Sequence, residues 1–210
     1  MKKIGILLFM CFLVLSGSKV FSQKLKSGSL SVLKGQKVVN LQFDYAKMKV
    51  GKFDNEEEYI TKGIADRNSK KEGTGDAWAV KWKSDKTERF PPAFAETFNG
   101  KADDCGLELK ENASDATYTM IVHTTFLEQG VEAYIGTKAS EVDLLIDIVE
   151  TKAPEKVVAT IETKGKGSTT RMTVGGVPVS KETYDTGLRI IEAYESAAKP
   201  LGKFVCKELK

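Results

Sequence analysis

Three stretches in the middle of the chain alternate apolar and polar side chains, and a period of two admits β-strands and little else. Tyr118, Met120, Val122, Thr124 and Phe126 share one face of the first stretch. Val142, Leu144, Ile146 and Ile148 share one face of the second, and Val157, Ala159 and Ile161 one face of the third. The opposite faces carry Thr119, His123 and Thr125, then Glu141, Asp143 and Asp147, then Thr160, Glu162 and Lys164. Short polar connections make an antiparallel meander the expectation, one face apolar and the other wet. Val38 to Tyr45 alternates in the same way, with Val39, Leu41, Phe43 and Tyr45 on one side, and supplies a fourth strand.

The flanking segments change to helical spacing. Asp54 and Glu57 stand at the separation of a capping box, and the run Glu56 to Glu58 suits the positive end of a helix over about 55–71. Trp78, Trp82, Asp85 and Arg89 recur at helical intervals, although Trp78, Val80 and Trp82 also fit a strand. Pro91 as a stop favours the helix. A short helix opening at Pro91 or Pro92 carries Phe94 and Phe98, with Phe90 as its staple and Asn99-Gly100 as its end. A final helix from about Lys181 to Leu209 aligns Tyr184, Leu188, Ile191, Tyr194, Ala198, Leu201 and Val205, with a kink expected at Pro200. Glycines between Gly165 and Gly176 mark a flexible excursion or small hairpin before it. The resulting fold class is α+β: a mainly antiparallel sheet of about four strands, including a three-stranded meander, with helices on one face and a long C-terminal helix.

The amino terminus sets the compartment. Lys2 and Lys3 precede an apolar run from Ile4 to Leu15, then Ser16-Gly17-Ser18 and Val20-Phe21-Ser22, the layout of a secretory signal peptide over 1–22. The run is about 12 residues, short of the roughly 20 that span a bilayer, so no transmembrane anchor is expected after signal removal. Residues 23–35 read as a flexible leader and 36–210 as a single domain, placed outside the cytoplasm in the periplasm, the outer envelope or the medium. Losing Lys2, Lys3 and Lys19 takes the basic count from 32 to 29, equal to the 29 acidic residues. A neutral chain has no overall field to draw it to nucleic acid, which is set aside as a partner. Cys11 leaves with the signal peptide. Cys105 and Cys206 remain as either a disulfide, in keeping with an oxidising compartment, or two buried thiols.

Ala116-Thr117-Tyr118-Thr119-Met120-Ile121-Val122, Leu145-Ile146-Asp147-Ile148-Val149-Glu150, Lys156-Val157-Val158-Ala159 and the helix Arg189 to Leu209 form a familiar succession. Over about 36–208 the chain resembles uncharacterised secreted and envelope proteins of Bacteroidetes and, more distantly, the α+β fold of the TolB amino-terminal domain and of curli-secretion-pore-like proteins. Phe21-Ser22-Gln23 also resembles the cleavage sites of that phylum. The resemblance implies an α+β envelope domain engaged in binding or assembly, and brings no catalytic residues with it. It departs from the pore proteins in having no lipidated cysteine and no evident membrane-spanning hairpins.

No catalytic or cofactor motif stands out. His123 is the sole histidine, which weakens a catalytic triad or a two-histidine metal site within one chain. With Asp143, Asp147 and Glu162 on the same sheet face it offers a carboxylate-rich candidate, and the plainer reading of these residues is a solvated polar face. Trp78, Trp82, Phe90, Phe94 and Phe98 are either core or, with an exposed tryptophan, a groove for a glycan, lipid or peptide. Cys105 and Cys206 lack the spacing of a reactive dithiol, and the glycine-rich stretch lacks the lysine and hydroxyl of a phosphate loop. The expected function is therefore a non-enzymatic extracytoplasmic binding or assembly module, with an envelope protein, glycan or peptide as partner and no cofactor or metal. Trp78, Trp82, His123, Asp143 and Asp147 are its candidate binding residues. The alternative is a small-molecule or metal-binding enzyme using the polar face around His123.

Overall fold

The computed structural model describes residues 23–133, 136–168, 173–174, 177–178 and 185–210. In chain order the elements are β1 (Lys24–Gly28), a 3-10 turn (Leu30–Leu33), β2 (Val38–Asp44), β3 (Lys49–Val50), α1 (Glu56–Asn68), α2 (Thr74–Glu88) and α3 (Phe90–Ala102). A second 3-10 turn (Asp103–Cys105) leads to β4 (Glu108–Glu111), β5 (Tyr118–Glu128), β6 (Val131–Ala133), β7 (Gly136–Lys138), β8 (Glu141–Glu150) and β9 (Ala153–Lys166). The chain closes with β10 (Thr173–Val174), β11 (Val177–Pro178) and α4 (Thr186–Leu209).

Seven strands form the main sheet in the order β1-β9-β8-β5-β2-β4, with β3 also on β5. The sheet is mixed, which corrects the expected mainly antiparallel sheet of about four strands. β5, β8, β9 and β1 pair antiparallel, but β2 runs parallel to both β4 and β5, and β3 runs parallel to β5. The physical reason is connectivity. The three helices α1 to α3 separate β2 from β4 and return the chain to the end where β2 began, the crossover that parallel pairing needs.

The expected leader 23–35 is also corrected. Lys24 pairs with Glu162 and Gly28 with Ala159, and Leu30 and Leu33 are buried. Lys24-Leu25-Lys26 reads as polar because a short edge strand keeps charges outward. A third correction concerns β5. A bulge between Thr124 and Phe126 turns Phe126 to the face of its partner Asp143 and gives its core place to Leu127,. In β9, Val157 is solvent-exposed while Ala159 and Ile161 are buried.

The core lies between one sheet face and the helices. Val39, Leu41, Met120, Val122, Val142, Leu144, Ile146, Ile148 and Ile161 meet Phe90, Phe94, Phe98, Ile190, Tyr194, Ala198 and Leu201. Asn55, one residue beyond the expected cap, caps α1 by accepting from the Glu58 N–H at 2.9 Å, and its side-chain amide donates to the Glu58 carboxylate at 3.0 Å,. Pro91 and Pro92 fill the first turn of α3, where their missing N–H groups are harmless,. Asp185 caps α4 by accepting from the Gly187 N–H at 2.7 Å, and the expected start near Lys181, with Tyr184, lies outside the described residues. At Gly165 a Cβ would fall 1.9 Å from the Ala193 carbonyl oxygen, so only glycine lets β9 lie this close to α4.

Cys105 and Cys206 form a disulfide, with Cα atoms 5.4 Å apart, that joins the end of the α3 region to the last turns of α4. No helix among the described residues is long and apolar enough to cross a membrane.

Candidate functional site: the open face of the sheet

Because α3 and α4 cover one face, side chains of opposite parity point away from every helix. Val122 and Thr124 are buried, and the Thr124 hydroxyl meets the Tyr194 hydroxyl of α4 at 2.8 Å; His123 between them projects from the other side. One end of that side is covered. Residues 112–117 cross β2 on their way from β4 to β5, and the Asn40 side chain accepts from the Ala113 N–H at 3.0 Å and donates to Thr119 at 3.2 Å. Asn40, Thr119 and Val149 are buried beneath this crossing.

The remainder is open. Ile121, Phe126 and Leu145 lie half-buried in its middle. Around them, charges are paired strand to strand: Lys26 with Glu162 at 2.9 Å, Lys166 with Glu141 at 2.6 Å, and Lys164 with Asp143. His123 sits at the join between the parallel and antiparallel parts of the sheet. Its Nδ1 meets Oδ2 of Asp44 on β2 at 2.7 Å and its Nε2 meets Oδ2 of Asp147 on β8 at 3.3 Å. The Thr160 hydroxyl donates to the other oxygen of Asp147 at 2.6 Å. The Ala46 N–H, opposed by partial burial and helped by the His123 ring, holds the Asp44 carboxyl below its ordinary range,.

The structure thus brings His123 and Asp147 together and leaves Asp143 out, with its carboxylate on Lys164 and its carbonyl accepting from Thr125. Asp44 escapes a reading of the sequence, although it closes the alternation of β2; its partner is set by the parallel register that places it opposite His123. Both ring nitrogens of His123 face carboxylates. Among the described residues no group of three or more His, Cys, Asp or Glu is arranged to hold a metal ion.

Trp78 and Trp82 lie on the helical side, their rings 6.1 Å apart. Trp82 is 3% exposed and donates its Nε1–H to Glu56 at 2.5 Å, while Glu56 also accepts from Lys86. Trp78 is half-buried, packs edge-on to Tyr59, and carries the Arg67 guanidinium 4.0 Å above its ring. This cluster cements the α1–α2 hairpin, and the buried face of Trp82 offers no platform. An open depression of about 390 Å³ beside α4 is lined by Thr97, Lys166, Glu192, Glu195 and Lys199. Burial, followed by Glu192 and Glu96, raises the Glu195 carboxyl there.

No family model matches the chain, and no curated protein does. Among solved structures, the PelC dodecamer from Paraburkholderia phytofirmans is similar with a TM-score of 0.38 at 10% identity, over 85% of this chain and 97% of that one. A single-substitution variant of that dodecamer gives 0.37 at 11% identity, over 86% and 98%. Neither is a TolB-like or curli-secretion-pore-like protein, and agreement at this level transfers no residue role or function.

Proposed function

We propose that this chain is a non-enzymatic, extracytoplasmic envelope module that docks a protein or peptide on the open face of its sheet. The observation that carries the reading is the composition of that face: Ile121, Phe126 and Leu145 lie half-buried around His123 and among charges paired from strand to strand. Half-buried apolar side chains set among polar ones match a protein-recognition surface, whereas small ligands are held in concave sites that bury most of their surface. The basic-then-apolar amino terminus and the disulfide support the compartment.

Site-specific photo-crosslinking in the native envelope tests this. A photoreactive side chain in place of Ile121 or Leu145 is expected to give one discrete protein adduct. The same group in place of Val80, which is 70% exposed on the helical side, is expected to give none. Absence of adducts at both open-face positions, or equal adducts at Val80, overturns the proposal.

A further inference from the structure

We infer that the outer edge of β4 is a self-association surface for a second copy of this chain, and that the side chain of Asn99 on α3 holds it shut. The inference does not rest on docking at the open face. β4 ends the strand order of the sheet, and among the described residues β2 is its strand partner. The Glu108 N–H donates at 2.8 Å to the carbonyl of Lys37, the residue before β2, so the backbone groups of Leu109, next along the strand, point away from β2. One side chain takes both of them. The Leu109 N–H donates to Oδ1 of Asn99 at 2.8 Å, and Nδ2 of Asn99 donates to the Leu109 carbonyl at 3.0 Å. A primary amide presents an acceptor and a donor side by side, and here they meet the groups that a next strand would pair.

The strand closed in this way is complementary to itself. Antiparallel pairing of two copies about Leu109 lets the two Leu109 residues exchange N–H and C=O, the hydrogen-bonded pair of an antiparallel ladder, through the same two groups that Asn99 occupies. The same register sets Glu108 of each copy opposite Lys110 of the other. Both of these side chains are exposed while Leu109 is buried in the core, so opposite charges meet twice across the join, a favourable cross-strand arrangement. The symmetry is isologous, with one patch serving both copies. β1, at the other edge, gives the reverse result. Pairing about Leu25 sets Lys24 of one copy against Lys26 of the other, like charges that keep two edges apart. Leu109 therefore has two competing partners, Asn99 of its own chain and Leu109 of a second. The first costs no association entropy and prevails.

Sedimentation of the mature chain at rising concentration tests this. Asn99→Ala is expected to double in mass as concentration rises, where the wild type keeps one mass throughout. Exchange of the Leu109 amide is expected to be slow in the wild type, fast in dilute Asn99→Ala and slow again when that variant is concentrated. Loss of a merely structural hydrogen bond leaves it fast at every concentration. Asn99→Ala/Lys110→Glu puts like charges across the join and is expected to return to the wild-type mass; adding Glu108→Lys is expected to restore the doubling. Asn99→Ser, which keeps a polar group on α3, is read in the same way should the alanine variant lose its folded far-ultraviolet spectrum. A mass that stays at the wild-type value, a dimer indifferent to Lys110→Glu, or a wild type that already associates through β4 overturns the inference.

Discussion

Reducing the Cys105–Cys206 bridge is expected to cost the protein stability almost entirely through its unfolded state. The two cysteines are 101 positions apart, so the crosslink removes the closure entropy of a loop spanning half the chain. In the chain-entropy model a loop of this size contributes about 4.7 kcal/mol at room temperature. The folded state has little reason to change on reduction. α3 and α4 are already packed so closely that a Cβ on Gly202 would lie 2.8 Å from the Phe98 carbonyl oxygen. The freed thiols also have an acceptor in place, since the Ala102 carbonyl oxygen lies 3.2 Å from the Cys105 sulfur and 3.4 Å from the Cys206 sulfur.

The assay is urea and thermal unfolding of oxidised and reduced protein, with a Cys105→Ala/Cys206→Ala double variant as a third sample, followed by the fluorescence of Trp78 and Trp82. The reduced form is expected to melt about 10–20 °C lower, from the loop estimate and the usual conversion for a chain of this length. The oxidised form is expected to show the smaller dependence on urea, because a cross-linked unfolded chain exposes less surface. Kinetically, reduction is expected to slow folding and leave unfolding nearly unchanged. A stability difference below about 1 kcal/mol, or a change confined to the unfolding rate, refutes the reasoning.

Two other parts of the fold give further expected outcomes. Gly165→Ala is expected to destabilise by about 3 kcal/mol, since the new methyl collides with the Ala193 carbonyl, a backbone atom that cannot turn aside,. Gly100→Ala, in α3 with nothing within 4 Å, is expected to stabilise by about 0.5–1 kcal/mol through helix propensity; thermal melts in which the two variants shift alike count against the packing account. The acid limb is expected to depend on Asp44. Its carboxyl is held below the ordinary range in the folded state, by the Ala46 N–H first and by His123 after burial is offset. Its contribution is therefore present above the unfolded carboxylate range and lost as pH falls through the lower folded value. Asp44→Asn is expected to flatten the fall in stability below about pH 4; an unchanged slope in denaturant titrations counts against it.

The sequence disclosed those strands whose alternation runs long enough to separate two environments. β8 puts Val142, Leu144, Ile146 and Ile148 inward without exception, and the same regularity reveals β2 and most of β5. β4 offers only Leu109 as a buried residue among Glu108, Lys110 and Glu111, and a single apolar position sets no period. Pairing direction was hidden for a different reason. Alternation is identical in parallel and antiparallel strands, so the parallel join of β2 to β4 and β5 appears only once the α1–α3 crossover is known. The bulge near Thr125 was equally silent, because one inserted residue leaves the local pattern intact and reverses the facing only of the residues beyond it. At the site, His123 and Asp147 were placed on one face from parity alone. Asp44 needed the register, and Asp143 was drawn away by Lys164, a neighbour that parity does not rank.

The two faces of the sheet answer to different physics. On the helical face, burial fixes identity: Phe90, Phe94, Phe98 and Tyr194 are fully buried, each large ring contributes roughly 1.5–3 kcal/mol or more, and close approaches such as that at Gly165 tolerate no added atom. On the open face, exposed ion pairs contribute about 0–1 kcal/mol each, so stability places little demand on which charges stand there or on how they are ordered. The open face holds a histidine between carboxylates of two strands and leaves Ile121, Phe126 and Leu145 half uncovered. Under the proposed docking function, substitutions at Ile121 and Leu145 are expected to report on docking while those at Gly165 and Phe94 report on folding.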